Sequence, residues 1–401
     1  MKKTVYLIIV FYIIQATIHN LGHPVTPAFV RELGIQDYMF GVFFASMSFG
    51  LMLGGPIWGV LSDQGKKKIY IVFGLLLYSI GQFFFAYSNN QYLMVFFRFL
   101  SGFGVASAIT IFTSHVISIS EPNDRAKHLA YTAAAFTLGA SLGYWIGGFL
   151  STNSIATSIL GTSDFRIIFL IQSLLNTLYV VLIIFVFKEA KKIEPILKKV
   201  TFFKALKQVT KIEPSLLIFL ISLTFMTIGS MNVSRYIDVY FNELGYNPQQ
   251  LGTFVMATGL VSLFASIFIV PIFSKFKKQL VTISIIHILS ALIIFYVFRA
   301  NQFLLVMYTI FMVYVIFKAI YQPLEQSYIS LQAKEEKYGT VMGIRQSFVS
   351  IGMVLGPLIG GFIYERSPLL LFDFSGIFFI LGVLLLGIVY LLEKRKKLIL
   401  E

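Results

Sequence analysis

Long apolar stretches cut by short polar joints run the whole length of the chain. The uncharged run between Lys3 and Arg31, and the next between Asp37 and Asp63, are each long enough to cross a ~30 Å hydrocarbon core as helix at ~1.5 Å per residue. Apolar length, punctuation by glycine, proline and asparagine, and charge clusters predict helices near 5–30, 39–61, 69–88, 92–117, 128–150 and 166–187. A second six is expected near 214–241, 251–274, 280–299, 303–328, 340–364 and 373–392. Segments alternating apolar and polar residues, which would build a closed barrel, do not occur in the sequence. The pattern therefore predicts an all-α polytopic membrane protein of twelve transmembrane helices in two six-helix halves.

Composition agrees. With 57% hydrophobic and 12% charged residues among 401, and a mean hydropathy of +0.82, the chain is too apolar for a water-soluble globule. Met1-Lys2-Lys3 and the following apolar run imitate a secretory signal, but no small-x-small cleavage site follows, so an uncleaved first helix is expected. Without cysteine there are no disulfides, thiolate metal sites or cysteine nucleophiles.

The net charge of +14 invites a nucleic-acid reading, yet the basic residues gather in alternate joints. They cluster at Lys2 and Lys3, Lys66 to Lys68, Arg125 and Lys127, eight lysines between 188 and 211, Lys275 to Lys278, Lys334 and Lys337, and Lys394 to Lys397. The positive-inside rule then places both termini in the cytoplasm of a cell-membrane protein. Topology and anionic lipid account for the charge, and no nucleic-acid partner is expected. The longest charged stretch divides the chain into an N-terminal half (1–187), a cytoplasmic basic linker (188–213) and a C-terminal half with a short tail (214–401). Phe202, Phe203 and Leu206 among the linker lysines suggest a short helix on the membrane surface.

The halves are related. Arg31-Glu32-Leu33-Gly34, then Phe40-Gly41, recurs as Asn242-Glu243-Leu244-Gly245, then Leu251-Gly252, at an offset of 211. Gly139-x3-Gly143-x3-Gly147-Gly148-Phe149 recurs as Gly352-x3-Gly356-x3-Gly360-Gly361-Phe362 at an offset of 213. Nearly equal offsets in separate places indicate duplication, in parallel orientation because six spans separate equivalent points.

Three motifs carry a resemblance to the major facilitator superfamily. Gly59-Val60-Leu61-Ser62-Asp63-Gln64-Gly65-Lys66-Lys67-Lys68 resembles its loop motif between helices 2 and 3, with Asp63 and Gly65 one residue closer than usual. Arg98-x3-Gly102-x-Gly104 looks like its helix 4 motif. The glycine run of helix 5 is similar to the G-x-x-x-G-P-x-x-G-G of drug/proton antiporters. Here Tyr144 stands at the proline position, whereas helix 11 has the full form with Pro357. The resemblance implies two six-helix halves with a central substrate site. It makes Gly59, Asp63, Gly65, Lys66 and Lys67 a conformational-switch motif. The glycines of the two runs form helix-packing seams, either static or bending as the halves rock.

Polar residues inside spans mark the candidate chemistry. Helix 1 carries Tyr12, Gln15, His19, His23 and Thr26 at helical spacing, a stripe suited to lining a cavity, handling protons or packing helices. No thiol or acid accompanies the histidines, so no metal is expected. Helix 7 offers Met231, Arg235 and Asp238, and helix 10 offers Tyr314, Lys318, Gln322 and Glu325. Asp238 and Glu325, with Arg98, His19 and His23, are the proton-coupling candidates, unless Arg235 pairs with Asp238 and Lys318 with Glu325 structurally. Arg98 should face a partner or a water-filled cavity, or else snorkel to the headgroups. Basic residues outnumber acids within the predicted spans, which suits anionic or zwitterionic substrates better than simple cations.

Nucleotide-binding loops and the HExxH and GxSxG motifs do not occur, which argues against an ATP-driven pump or a membrane hydrolase. The expected function is secondary active export, by proton-coupled antiport of amphiphilic drugs or related small molecules. The alternatives are export or flipping of an anionic or zwitterionic lipid-like or metabolite substrate, uptake, or a transport-inactive sensor. The expected partners are a small amphiphilic substrate and the bilayer, the energy source is the proton gradient without a cofactor, and the working unit is a monomer.

Overall fold

The structure, a computed structural model, describes residues 3–63, 66–188, 213–273, 276, 278–332 and 338–400. Among them every regular element is a helix. Eleven helices are long and apolar enough to span a membrane, and Thr4–Asn20 is a shorter apolar one. The linker residues 189–212, and with them the suggested surface helix, lie outside the described residues.

Helix 1 departs from the expected continuous span. It divides into α1 (Lys3–Asn20) and α2 (Thr26–Glu32). Pro24 has no N–H, and around it the backbone tightens to i→i+3 bonds, Leu21 N to Ile18 O at 3.3 Å and His23 N to Asn20 O at 3.3 Å. That leaves the His19 carbonyl without its helical donor. Gln172 Nε2 fills the gap, donating to the carbonyls of Ile18 at 2.9 Å and His19 at 2.8 Å. A buried break is tolerated in lipid only when its freed backbone groups find such partners.

The chain continues through α3 (Tyr38–Asp63), α4 (Lys67–Tyr87), α5 (Gln91–Ile119) and α6 (Pro122–Thr152). A short α7 (Ser154–Leu160), not foreseen, follows where the Asn153 side chain accepts from the Ile155 and Ala156 amides. Next come α8 (Arg166–Val186), α9 (Pro214–Glu243) and α10 (Pro248–Phe264). A π-turn at Ala265–Ile269 then leads to α11 (Val270–Phe273), because Pro271 cannot donate to Ile267 and the ladder loosens ahead of it. After α12 (Gln279–Val297), helix 10 is split at Thr309 into α13 (Phe303–Tyr308) and α14 (Ile310–Gln332). The last helices are α15 (Tyr338–Arg366) and α16 (Pro368–Leu400).

Contacts gather the chain into two compact units. One comprises Met1–Lys199 with Asp238–Leu260, the other Val200–Ile237 with Val261–Glu401. In the first unit α6 packs on α1 through its glycines. A Cβ on Gly139 would lie 2.9 Å from that of Ala16, and one on Gly143 2.9 Å from that of Asn20. In the second, α15 packs on α9 in the same way, where a Cβ on Gly352 would lie 2.7 Å from that of Thr227, and one on Gly356 3.3 Å from that of Met231. Ala16 and Thr227, like Asn20 and Met231, are 211 residues apart, so the repeat extends to both sides of each seam.

The duplicated Glu-Leu-Gly is a pair of helix caps. Gly34 N donates to Arg31 O and Ile35 N to Val30 O, and in the second copy Gly245 N donates to Asn242 O and Tyr246 N to Phe241 O. Both are Schellman closures with the glycine left-handed, φ +66° at Gly34 and φ +83° at Gly245. Arg31 also joins the two copies. Its guanidinium forks onto Asp37 at 3.0 and 2.8 Å and donates to Asn242 Oδ1 at 2.9 Å.

The space beside both cap glycines is open, so only the backbone conformation resists a side chain there. Gly34→Ala and Gly245→Ala should each destabilise by about 1–2 kcal/mol. Gly387→Ala, at a helical position also with open space, should be neutral or stabilising. Thermal unfolding of the purified protein in detergent separates the two classes.

Candidate functional site

Polar candidates of the first unit are drawn into its interior. Tyr12 bonds to Thr113 Oγ1 at 2.7 Å and donates to the Ile109 carbonyl at 3.2 Å. His19 Nε2 meets Asn176 Oδ1 at 3.0 Å, and Asn176 itself donates to Leu75 O and Ser79 Oγ. Gln15 is fully buried. The helix 1 stripe thus reaches α4, α5 and α8. Arg98 does not snorkel. It is 5% exposed, its guanidinium lies 3.8 Å over the Phe85 ring, and Nη2 reaches Thr26 Oγ1 at 3.5 Å.

His23 and Asp238, far apart in sequence, meet through Tyr144. The Tyr144 hydroxyl donates to Asp238 Oδ2 at 2.9 Å. The His23 ring stacks on Tyr144 at 5.4 Å and on Phe44 at 5.3 Å. Tyr144 occupies the position of Pro357, which lies inside the unbroken α15, so the departure from the antiporter motif supplies the donor to this carboxylate.

In the switch motif, Gly59 faces Thr110 across the α3–α5 contact. Lys66 is left-handed at φ 62°. Lys67 opens α4, and Lys68 donates to the Ile184 carbonyl in the last turn of α8 at 2.8 Å. Gly65 and the Asp63 side chain lie outside the described residues. Also among the described residues, no cluster of metal-ligating side chains occurs.

The second unit holds a cavity of about 230 Å³ between α9, α12, α14, α15 and α16. Five sequence candidates line it: Met231, Tyr314, Lys318, Gln322 and Glu325. Aromatic and thioether side chains, including Phe317, Tyr321, Phe379, Met226 and Met353, supply part of its wall. Lys318 Nζ donates to Ser234 Oγ at 2.9 Å. The suggested Lys318–Glu325 pair does not form. Glu325 is clamped by Arg345, whose Nε reaches Oε2 at 3.2 Å and whose Nη2 bonds Oε1, with side-chain exposures of 9% for Arg345 and 2% for Glu325.

Arg345 was missed because it sits near the predicted start of a span, where a basic residue reads as a topology signal. Only the turn of α15 toward α14 reveals it as a counter-ion. His287 was missed too, since a lone histidine in an apolar run gives no signal. Its Nδ1 donates to Ile283 O at 2.9 Å, so Nε2 is left as an acceptor.

A helical membrane scaffold with a duplicated seam, and a cavity pairing a buried carboxylate with cations and aromatic rings, defines the solute-transporter class. The chain belongs to the Major Facilitator Superfamily, whose family model matches residues 6–315 and 239–399. It is 25% identical over 386 residues to the Quinolone resistance protein NorA of Staphylococcus aureus (strain COL), covering 93% of this chain and 92% of that one. It is 24% identical to Multidrug resistance protein 2 of Bacillus subtilis (strain 168), covering 98% and 96%. Its fold is similar to that of a bacterial homologue of the human lysosomal transporter Spinster in an inward-facing, unoccupied conformation, at TM-score 0.74, 14% identity and 97% and 96% coverage. It is also similar to a point mutant of the nucleoside transporter NupG, at TM-score 0.72, 11% identity and 96% and 98% coverage.

Because the Glu325–Arg345 pair is buried, breaking one side strands a charge. Arg345→Gln should cost about 3–5 kcal/mol of stability, while the Arg345→Gln/Glu325→Gln double variant should recover much of it. A double-mutant cycle on thermal or denaturant unfolding measures the difference. Tyr144→Phe keeps the stacking on His23 but removes the donor to Asp238, and should cost ~1–3 kcal/mol.

Proposed function

We propose that the protein is a secondary active exporter that exchanges protons for amphiphilic small molecules by alternating access, acting as a monomer in the cell membrane with both termini cytoplasmic. In this reading the basic segment 188–213 links the two halves, and the proton gradient is the energy source. One observation carries the proposal: Glu325, a buried carboxylate, lines the same cavity as the aromatic and cationic side chains and is clamped by Arg345. The names of the two sequence relatives, resistance proteins both, favour export.

Protonation of Glu325 removes the negative half of the pair. Arg345 must then find another acceptor or water, and the arrangement of α14 against α15 that best supplies one gains population. Loss of the proton restores the clamp. The Tyr144-bonded Asp238 is a second protonation point, with the His23 ring against the tyrosine and Arg235 one turn earlier on the same helix. A second reading, export of an anionic or zwitterionic substrate, is favoured by Lys318, which forms no salt bridge within 4.0 Å among the described residues.

Proteoliposomes with an imposed pH gradient test the coupling, using one cationic, one neutral and one anionic fluorescent amphiphile. Wild type should accumulate at least one of them against its gradient. Glu325→Gln should abolish the pH dependence while leaving downhill exchange. Undiminished pH-driven accumulation in both Glu325→Gln and Asp238→Asn would remove these carboxylates from the mechanism.

A further inference from the structure

The cavity of the second unit has an asymmetric inventory. Lys318 and Arg345 stand against one carboxylate, Glu325, which Arg345 already engages at both oxygens. Lys318 is therefore the uncompensated charge. Among the described residues its ammonium bonds only the Ser234 hydroxyl, so further N–H donors remain available, and it is exposed to the cavity. Arg235 adds to the positive field around it.

A second polar group points the same way. The Tyr314 hydroxyl is buried and has no hydrogen-bond partner among the described residues, although Tyr314 lines the cavity. A buried hydroxyl without a partner costs free energy that a bound acceptor would recover. Tyr314 and Lys318 are four residues apart on α14, and so lie one above the other on the face turned to the cavity. Together they place two donors on one side of the cavity, the charged one exposed to it and the neutral one buried in its wall.

Part of the remaining wall is polarisable. Phe317, Tyr321 and Phe379 line it with Met226, Met231 and Met353. At about 230 Å³ the space is small beside the ~300–1,000 Å³ of drug-sized pockets, which suits one or two fused rings and excludes a diacyl lipid.

We infer that this cavity binds a compact aromatic carboxylate, its two oxygens accepting from Lys318 Nζ and Tyr314 Oη and its rings lying among the aromatic and methionine side chains. The inference rests on the transporter reading above and names its substrate class. The carboxylate supplies the counter-ion that Lys318 lacks, without competing with Glu325 for Arg345. A cationic amphiphile of the same shape meets an uncompensated ammonium, and is repelled.

Equilibrium binding of tritiated 1-naphthoate to the purified full-length protein tests this. Wild type should bind saturably. Lys318→Gln should weaken binding by about tenfold or more, and Lys318→Arg should retain most of it. Tyr314→Phe should weaken it several-fold while its melting temperature stays at or above wild type, since the lost hydroxyl had no protein partner. Unlabelled 1-naphthylmethylammonium should not compete, and hexanoate should compete poorly. The inference is overturned by absent saturable binding, by competition from the ammonium equal to that from naphthoate, or by wild-type affinity in both Lys318→Gln and Tyr314→Phe. Hexanoate competing as well as naphthoate would overturn the aromatic part, and a fall in the Tyr314→Phe melting temperature would overturn the free-hydroxyl assignment. pH-driven export of another amphiphile without naphthoate binding would remove this ligand class and leave the transporter reading standing. Naphthoate binding without transport of any amphiphile would do the reverse.

Discussion

A membrane interior offers no water to a stranded polar group, and three features of this chain answer to that constraint. The break between α1 and α2 exists because Gln172 from α8 caps the carbonyls it frees. Arg98 is held because the Phe85 face and the Thr26 hydroxyl replace its solvent. Glu325 lies at 2% exposure because Arg345 meets both of its oxygens. Loss of such a partner exposes the cost of burial. In the proposed mechanism Glu325 is the switch, because one proton changes what its partner must do.

Glycine seams set the frame in which those groups sit. Lipid chains are as apolar as leucine, so helices gain by close approach and not by hiding apolar surface. The α6–α1 and α15–α9 contacts use the same glycines, with partners related by one offset, and therefore bring equivalent stretches of backbone together twice. On this duplicated frame the polar chemistry diverges. Tyr144 bonds a carboxylate, whereas its counterpart Pro357 lies within the unbroken α15 and offers its carbonyl to Tyr236. The first unit uses Tyr12, His19, Gln172 and Asn176 for internal bonds. The second unit holds a cavity with a cation, an ion pair and aromatic walls.

The helical membrane class, the span pattern, the duplication and the family were all legible in the chain, because each rests on local or periodic signals. Spans need only apolar length, caps need only glycine where φ is positive, and an offset survives any folding. Lys318, Glu325, Tyr314, Gln322 and Met231 were marked as well, since polar residues in a span are few enough to stand out. The pairings came from the packed helices alone. Lys318 and Glu325 are close enough along α14 to suggest a pair, but Arg345 arrives from α15 and takes the carboxylate, leaving Lys318 to the cavity. Tyr144 reads as a defect in a motif until α9 brings Asp238 to its hydroxyl. Which side of a helix meets which neighbour depends on crossings between segments up to hundreds of residues apart, and one-dimensional spacing does not encode them. Where the chain could satisfy a buried charge was therefore legible, and with whom was not.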